Sequence, residues 1–345
     1  MGEWDIEGTA ASRADAVHRR SVVVDMGLTT NFTRPTPYIN GEDALDRALK
    51  GGLSVACQTL VGSTNRSFRE AIREINNVYR LVESKPHKVL VVRKSADIER
   101  AKMEGKMGYV MAFQNADPLE DDWINTLPVL QRLGVRIISI TYNERNLLGS
   151  GSKEPHDGGL TAYGAQVVRG MNRMGIIIDL SHVGTQTSVD TIGLSADPVL
   201  FTHSNVRSLN PHPRNLPDEV IKAVAAKGGV IGINTWEEFC TQAPKLNATL
   251  SDFLDHMDYV VKLVGVDHVG IGSDVNENWS ALPIRSDYET MYGYRAPGLA
   301  GYTYVHEIIN VTRGLVARGY TDEDISKVLG GNFMRVARQV WDKVI

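Results

Sequence analysis

Two neighbouring apolar runs in this chain finish in histidine, and a third finishes in aspartate: Gly-Ile-Ile-Ile-Asp-Leu-Ser-His182, Pro-Val-Leu-Phe-Thr-His203 and His-Val-Gly-Ile-Gly-Ser-Asp274. They are short and rich in branched residues, as strands buried on both faces are. Runs that each end in a side chain able to bind metal or carry a proton predict parallel strands delivering chemistry to one rim of a barrel. Ser21–Asp25, Leu53–Leu60, Gly108–Gln114, Arg136–Tyr142, Gly175–His182, Pro198–His203, Val230–Trp236 and His268–Asp274 make eight such runs. Helical spacing fills several of the intervals, over Phe68–Glu83, Gly164–Met174, Pro217–Ala226 and Leu250–Leu263. Eight strands alternating with helices in 345 residues predict an α/β chain, a (β/α)8 TIM barrel forming one domain over residues 1–345. An N-terminal helix is expected within 1–20 and short C-terminal helices within 321–345.

Composition narrows the function classes. The formal charge is −4 and the basic residues are scattered, which argues against a nucleic-acid surface. No apolar stretch approaches the roughly 20 residues that cross a bilayer. The polar start, Met1–Ala14, has no signal-like apolar centre. Cys57 and Cys240 lie in or beside predicted strands without metal-ligand spacing, so both read as core residues or free thiols. The expectation is a cytoplasmic protein acting on a small-molecule substrate.

The strand-end residues suggest the chemistry. Adjacent strands lie about 5 Å apart, so His182 and His203 can converge on one ion. Asp274 ends a third strand beside them. Arg214 sits in the proline-braced loop Pro211-His-Pro-Arg-Asn-Leu-Pro217, whose stiffness suits a guanidinium that meets a carboxylate in fixed geometry; a surface ion pair is the plain alternative. His212 and His268 read as structural, and His18, His87 and His156 as solvated. Three loops, Asn31–Gly41, Asn143–Thr161 and Asn276–Tyr302, follow strands and should overhang the catalytic face. The last carries Trp279, Tyr288, Tyr292 and Tyr294, which suit a ring-bearing part of a substrate, their own packing or a partner subunit.

Asp-Leu-Ser-His182, Thr202-His203-Ser204, His-Pro-Arg-Asn215, Gly-Ile-Gly-Ser-Asp274 and Gly-Gly-Asn-Phe-Met-Arg335 together resemble the membrane (renal) dipeptidase family, peptidase family M19, of the amidohydrolase superfamily. The resemblance runs from about Ser21 to the C-terminus. It implies a barrel, usually a homodimer, with a two-zinc site that hydrolyses dipeptides. His182 and His203 match ligands of the second metal, Arg214 the residue that takes the substrate carboxylate, and Asp274 a first-metal ligand that also carries a proton.

The chain departs from that pattern at the first metal. Where the family has Asp-Gly-His-x-Asp, this sequence has Asp25-Met26-Gly27-Leu28-Thr29, so Gly27 and Thr29 stand in place of two ligands. Gln114 replaces the bridging glutamate, and Tyr142 replaces a histidine thought to polarise the scissile carbonyl. One carboxylate without an imidazole does not hold a divalent ion against water, so the first site is expected to be lost. His182, His203 and the amide oxygen of Gln114 are expected to hold one divalent ion; zinc suits them, with manganese and iron open. Asp274, released from ligation, is the candidate general base, and Tyr142 a candidate donor to an oxyanion. Three readings follow: a single-metal amide hydrolase, a lyase or isomerase on the same scaffold, or a catalytically inactive homologue.

Overall fold

A computed structural model describes every residue except 1, 37, 65, 243–247, 279–298 and 345, and of residue 344 the backbone alone. Among the described residues nine parallel strands form one sheet: β1 Val24–Leu28, β2 Val55–Val61, β3 Val89–Val91, β4 Met107–Phe113, β5 Val135–Ser139, β6 Ile177–Asp179, β7 Leu200–Phe201, β8 Val230–Ile233 and β9 Val269–Ile271. Eight run in barrel order, β1-β2-β4-β5-β6-β7-β8-β9. The additional strand, β3, pairs with the entry half of β4, with Val89 opposite Met107 and Val91 opposite Tyr109. Sequence reading missed it because three residues are too few to establish a period.

Closure from β9 back to β1 uses hydrogen bonds just beyond the ladder. The Asp274 N–H donates to the Gly27 carbonyl at 3.0 Å, and the Ser273 N–H donates to Asp25 Oδ1 at 3.0 Å. Gly272 is required at this seam. A Cβ there would overlap the Thr202 carbonyl, which reaches across from the β7 exit.

Expected and observed helices agree closely, at Phe68–Ser84, Ala162–Met174, Asp218–Ala226 and Leu250–Val264. The first is set by a capping box: Glu70 N–H donates to Ser67 Oγ at 3.3 Å, and Ser67 N–H donates to Glu70 Oε2 at 3.1 Å. Four more helices, Ala44–Lys50, Ser95–Met103, Trp123–Arg132 and Thr185–Leu194, lie in stretches that sequence reading did not single out.

Apolar residues inside the barrel, among them Val24, Met26, Val55, Val110, Ile137 and Ile177, pack against Phe333, Val336, Val340 and Trp341 of the helix Asn332–Trp341. That helix plugs the N-terminal end of the barrel. The Gly-Gly-Asn-Phe-Met-Arg335 motif therefore works far from the strand C-termini. Asn332 Nδ2 donates to the Val266 and Val269 carbonyls at 2.7 and 2.8 Å, and Arg335 donates to the Gly228 and Asp267 carbonyls. Among the described residues no helix is long and apolar enough to cross a membrane.

His18 corrects one expectation. It is buried rather than solvated, with Nδ1 2.7 Å from Thr312 Oγ1 and Nε2 2.9 Å from the Gly51 carbonyl. Its neighbours come from distant parts of the chain. Cys57 lies in β2 and Cys240 closes the short helix Glu237–Cys240; both are buried.

Candidate active site

The strands end sooner than their apolar runs, and the functional side chains stand on the turns that follow. The buried Asp179 at the end of β6 explains this. Its carboxylate accepts Ser181 N–H at 3.0 Å, Ser181 Oγ–H at 2.9 Å, Thr202 N–H at 2.8 Å and Thr202 Oγ1–H at 2.9 Å. Side-chain bonding thus replaces the ladder between the ends of β6 and β7. His182 follows with φ 69°, a left-handed conformation uncommon for residues other than glycine. Such strain persists where surrounding structure imposes it, as it often does at functional sites.

The two imidazoles face one another, with Nε2 atoms 2.9 Å apart and ring centroids 4.9 Å apart. Their partners set the tautomers. Thr202 gives its hydroxyl proton to Asp179, so it offers an oxygen lone pair to His203 Nδ1 at 2.8 Å. Asn143 Oδ1 lies 2.8 Å from His182 Nδ1 and accepts from it. Both Nδ1 atoms therefore carry hydrogen, and both Nε2 atoms direct lone pairs into the same space. Burial, followed by the positive charge of Arg214, holds both imidazoles well below their ordinary pKa, so they stay neutral. Two neutral lone pairs at this separation fit a shared cation, and each ring nitrogen behind them has the hydrogen-bond partner that metal-bound histidines need.

Gln114, on the turn after β4, places Nε2 3.5 Å from His203 Nε2. Rotating the amide by a half-turn presents its oxygen instead. The donor set is then two imidazoles and one neutral amide. Among the described residues, no group of three or more His, Cys, Asp or Glu side chains is arranged to hold a metal.

The first-metal side is closed. A Cβ at Gly27 would lie 2.9 Å from His203 Cβ, so His203 fills the room that a side chain there would need. Thr29 turns its hydroxyl to the carbonyls of Asp274 and Val275, at 2.9 and 3.1 Å. The Thr29 hydroxyl is thus engaged by these carbonyls and by the Asp274 carboxyl, and Gly27 has no side chain to offer an ion.

Asp274 is 7% exposed and takes φ 59°, with Asn234 Nδ2 donating to its Oδ2 at 3.2 Å. Burial pushes its carboxyl up to about 7, against the opposing pull of Arg214 and Asn234. Arg214 is not on the surface. It is 4% exposed, donates to Ser204 Oγ at 3.1 Å and the His203 carbonyl at 3.2 Å, and lies 5.6 Å from the Phe239 ring centre. The Arg214 N–H donates to His212 Nδ1 at 3.1 Å, and His268 Nδ1 lies 2.9 Å from the Gly229 carbonyl. Tyr142 stacks on His182 with ring centroids 4.1 Å apart and planes at 26°.

Gln114, Tyr142, His182, Arg214 and Asp274 line one cavity of about 390 Å³, and His203 lies fully buried behind them. The outer wall carries Arg34, Arg66, Arg73, Glu70 and Glu74, none of which sequence reading singled out. They are charged residues in a loop and on a helix, a pattern shared with any solvated face. Asn143 was missed too, since its buried contact joins loops after different strands. Trp279, Tyr288, Tyr292 and Tyr294 lie outside the described residues.

Comparison with known proteins agrees with this architecture. The dipeptidase tcpJ of Claviceps purpurea is 31% identical over 278 residues, which make up 80% of this chain and 61% of that protein. This chain thus matches about three-fifths of that relative's length. The dipeptidase verJ of Clonostachys rogersoniana is 29% identical over 283 residues, covering 81% and 68% of the two chains. An amidohydrolase from Pseudomonas aeruginosa superimposes with a TM-score of 0.85 at 32% identity, covering 95% of this chain and 99% of its own. The probable dipeptidase PvdM of the same organism gives 0.82 at 27% identity, covering 97% and 99%. The family described as membrane dipeptidase, peptidase family M19, matches residues 11–343, and with that match spanning nearly its whole length, this chain belongs to the family.

Proposed function

We propose that this protein hydrolyses an amide bond in a small, carboxylate-bearing, amino-acid-like substrate, using one divalent cation where its family implies a pair. The observation that carries the proposal is the pair of Nε2 lone pairs 2.9 Å apart, beside a cavity that also holds Arg214 and Asp274. His182, His203 and the Gln114 amide would hold the ion, with zinc the first expectation and manganese or iron the next. When bound, such an ion polarises a carbonyl and acidifies water.

The remaining work falls to the chain's own groups. Arg214 fixes the substrate carboxylate, its guanidinium held by Ser204 and the His203 carbonyl. Asp274 accepts the proton of the attacking water and returns it to the departing amine, a role suited to a carboxyl that titrates near 7. Tyr142, kept on the cavity wall by stacking on His182, donates its hydroxyl to the oxygen that gains charge. Asn143 holds His182 in the tautomer that exposes Nε2.

A second reading, non-hydrolytic proton transfer by Asp274 and Tyr142, is favoured by the closed first-metal side around Gly27 and Thr29. Product mass separates the two. Incubation with dipeptides, lactams and N-acyl amino acids should yield products heavier in sum by one water. Products equal in mass to the substrate support the second reading, and turnover unchanged in His182→Ala rules out the first.

A further inference from the structure

The cavity extends well beyond the groups assigned to the reaction, and among the described residues its outer wall carries one more positive than negative charge. Glu74, in the helix Phe68–Ser84, has a side chain only 7% exposed, and its Oε1 meets two guanidinium groups, Arg34 Nη2 at 3.3 Å and Arg73 Nη2 at 3.5 Å. Arg34 arrives from the loop after β1, and Arg73 from the same helix as Glu74. Two cations share one carboxylate oxygen, so one positive charge is left over. Arg66, nearby, is balanced by Glu70 at 3.1 Å. Both contacts to Glu74 are long, and each guanidinium has several further N–H groups. Among the described residues, the cavity is lined by four arginines against three carboxylates.

We propose that Arg34 and Arg73, anchored on the buried carboxylate of Glu74, form an anion-recognising arm that takes a second acidic group at the end of the substrate remote from Arg214. The substrate class becomes a dianion, such as an acidic dipeptide or an N-acyl amino acid whose acyl part ends in a carboxylate. The inference rests on the reading of this cavity as the substrate site. The physical case is electrostatic: exposed arginines of one sign inside a concave wall attract an anion more strongly than on open surface, because protein excludes part of the screening solvent. Neither arginine is deeply buried, so each contributes the two- to fivefold effect of a partly solvated ion pair, and together about tenfold.

The test is equilibrium binding, which needs no turnover. N-succinyl-L-alanine and N-succinamoyl-L-alanine share shape and the Arg214-directed carboxylate but differ in the charge at the far end. The wild-type protein should bind the succinyl compound about tenfold more tightly at low salt, with the ratio shrinking as salt is added. In Arg34→Gln/Arg73→Gln the ratio should fall toward one, whereas Arg214→Gln should weaken both ligands and preserve it. Equal affinity of wild type for the two compounds overturns the arm and leaves the reading of the cavity standing. Failure of both to bind removes both, and a ratio unchanged in the double variant assigns the preference elsewhere.

Discussion

The barrel uses the same clamp twice, once beside each place where the family pattern expects a metal. Asp25, at β1, accepts Gly27 N–H two residues on, at 3.1 Å, and both Ser273 N–H and Ser273 Oγ–H from the adjoining β9 exit. Asp179, at β6, accepts Ser181 N–H two residues on, and both Thr202 N–H and Thr202 Oγ1–H from the adjoining β7 exit. Burial raises the pKa of each carboxyl, to about 6 for Asp25, while these hydrogen bonds pull the other way. Beyond the Asp179 clamp stand His182 and His203; beyond the Asp25 clamp stand Gly27, Thr29 and Asp274. The backbone device that presents ligands is therefore separable from the ligands. The chain keeps both clamps, each tying the exits of two adjoining strands, and keeps imidazoles at only one.

The largest effect should come from the side that retains imidazoles. His203→Ala is expected to lose bound metal, read by elemental analysis of protein purified without chelators, and to lower kcat/KM about a thousandfold or more. Equal metal content in the variant and wild type would break the contrast. Next come the clamps themselves. Asp179→Ala and Asp25→Ala each leave buried donors without an acceptor, at roughly 3 kcal/mol or more apiece, measured by urea unfolding. Similar losses at the two sites would show that the clamp is structural wherever it occurs. Gly27→His, which restores the family's first-strand histidine, should not restore a second ion. Its Cβ meets His203, so about 2 kcal/mol of stability and part of the existing metal affinity should be lost.

The pH profile sharpens the comparison further. Asp274 is usable as a base only when ionised, and with its pKa raised to about 7 the ionised fraction grows about tenfold from pH 6 to pH 8. kcat/KM should rise in the same proportion, and Asp274→Asn should abolish both the activity and the rise. The smallest effect belongs to Thr29. Thr29→Ala removes a hydroxyl that bonds the Asp274 and Val275 carbonyls and the Asp274 carboxyl, none of them a second-metal ligand, so it should cost about 1 kcal/mol and leave metal content at the wild-type level.

Much of this protein was legible from local pattern. Short branched runs and the helical spacing between them determined the barrel, because buried strands and amphipathic helices are encoded within a few residues of themselves. The same runs placed His182, His203 and Asp274 at strand exits, and the resemblance to the family's first-strand motif placed Gly27 and Thr29 where ligands are expected. What tertiary structure decided is who meets whom across the rim. The strands proved shorter than their runs because Asp179 bonds to the β7 exit. Asn143 orients His182 from another loop, His18 is enclosed by Gly51 and Thr312, and Arg34 and Arg73 converge on Glu74. Those partnerships depend on which chain ends the closed barrel brings within about 3 Å of each other, and no periodicity in the sequence records that distance.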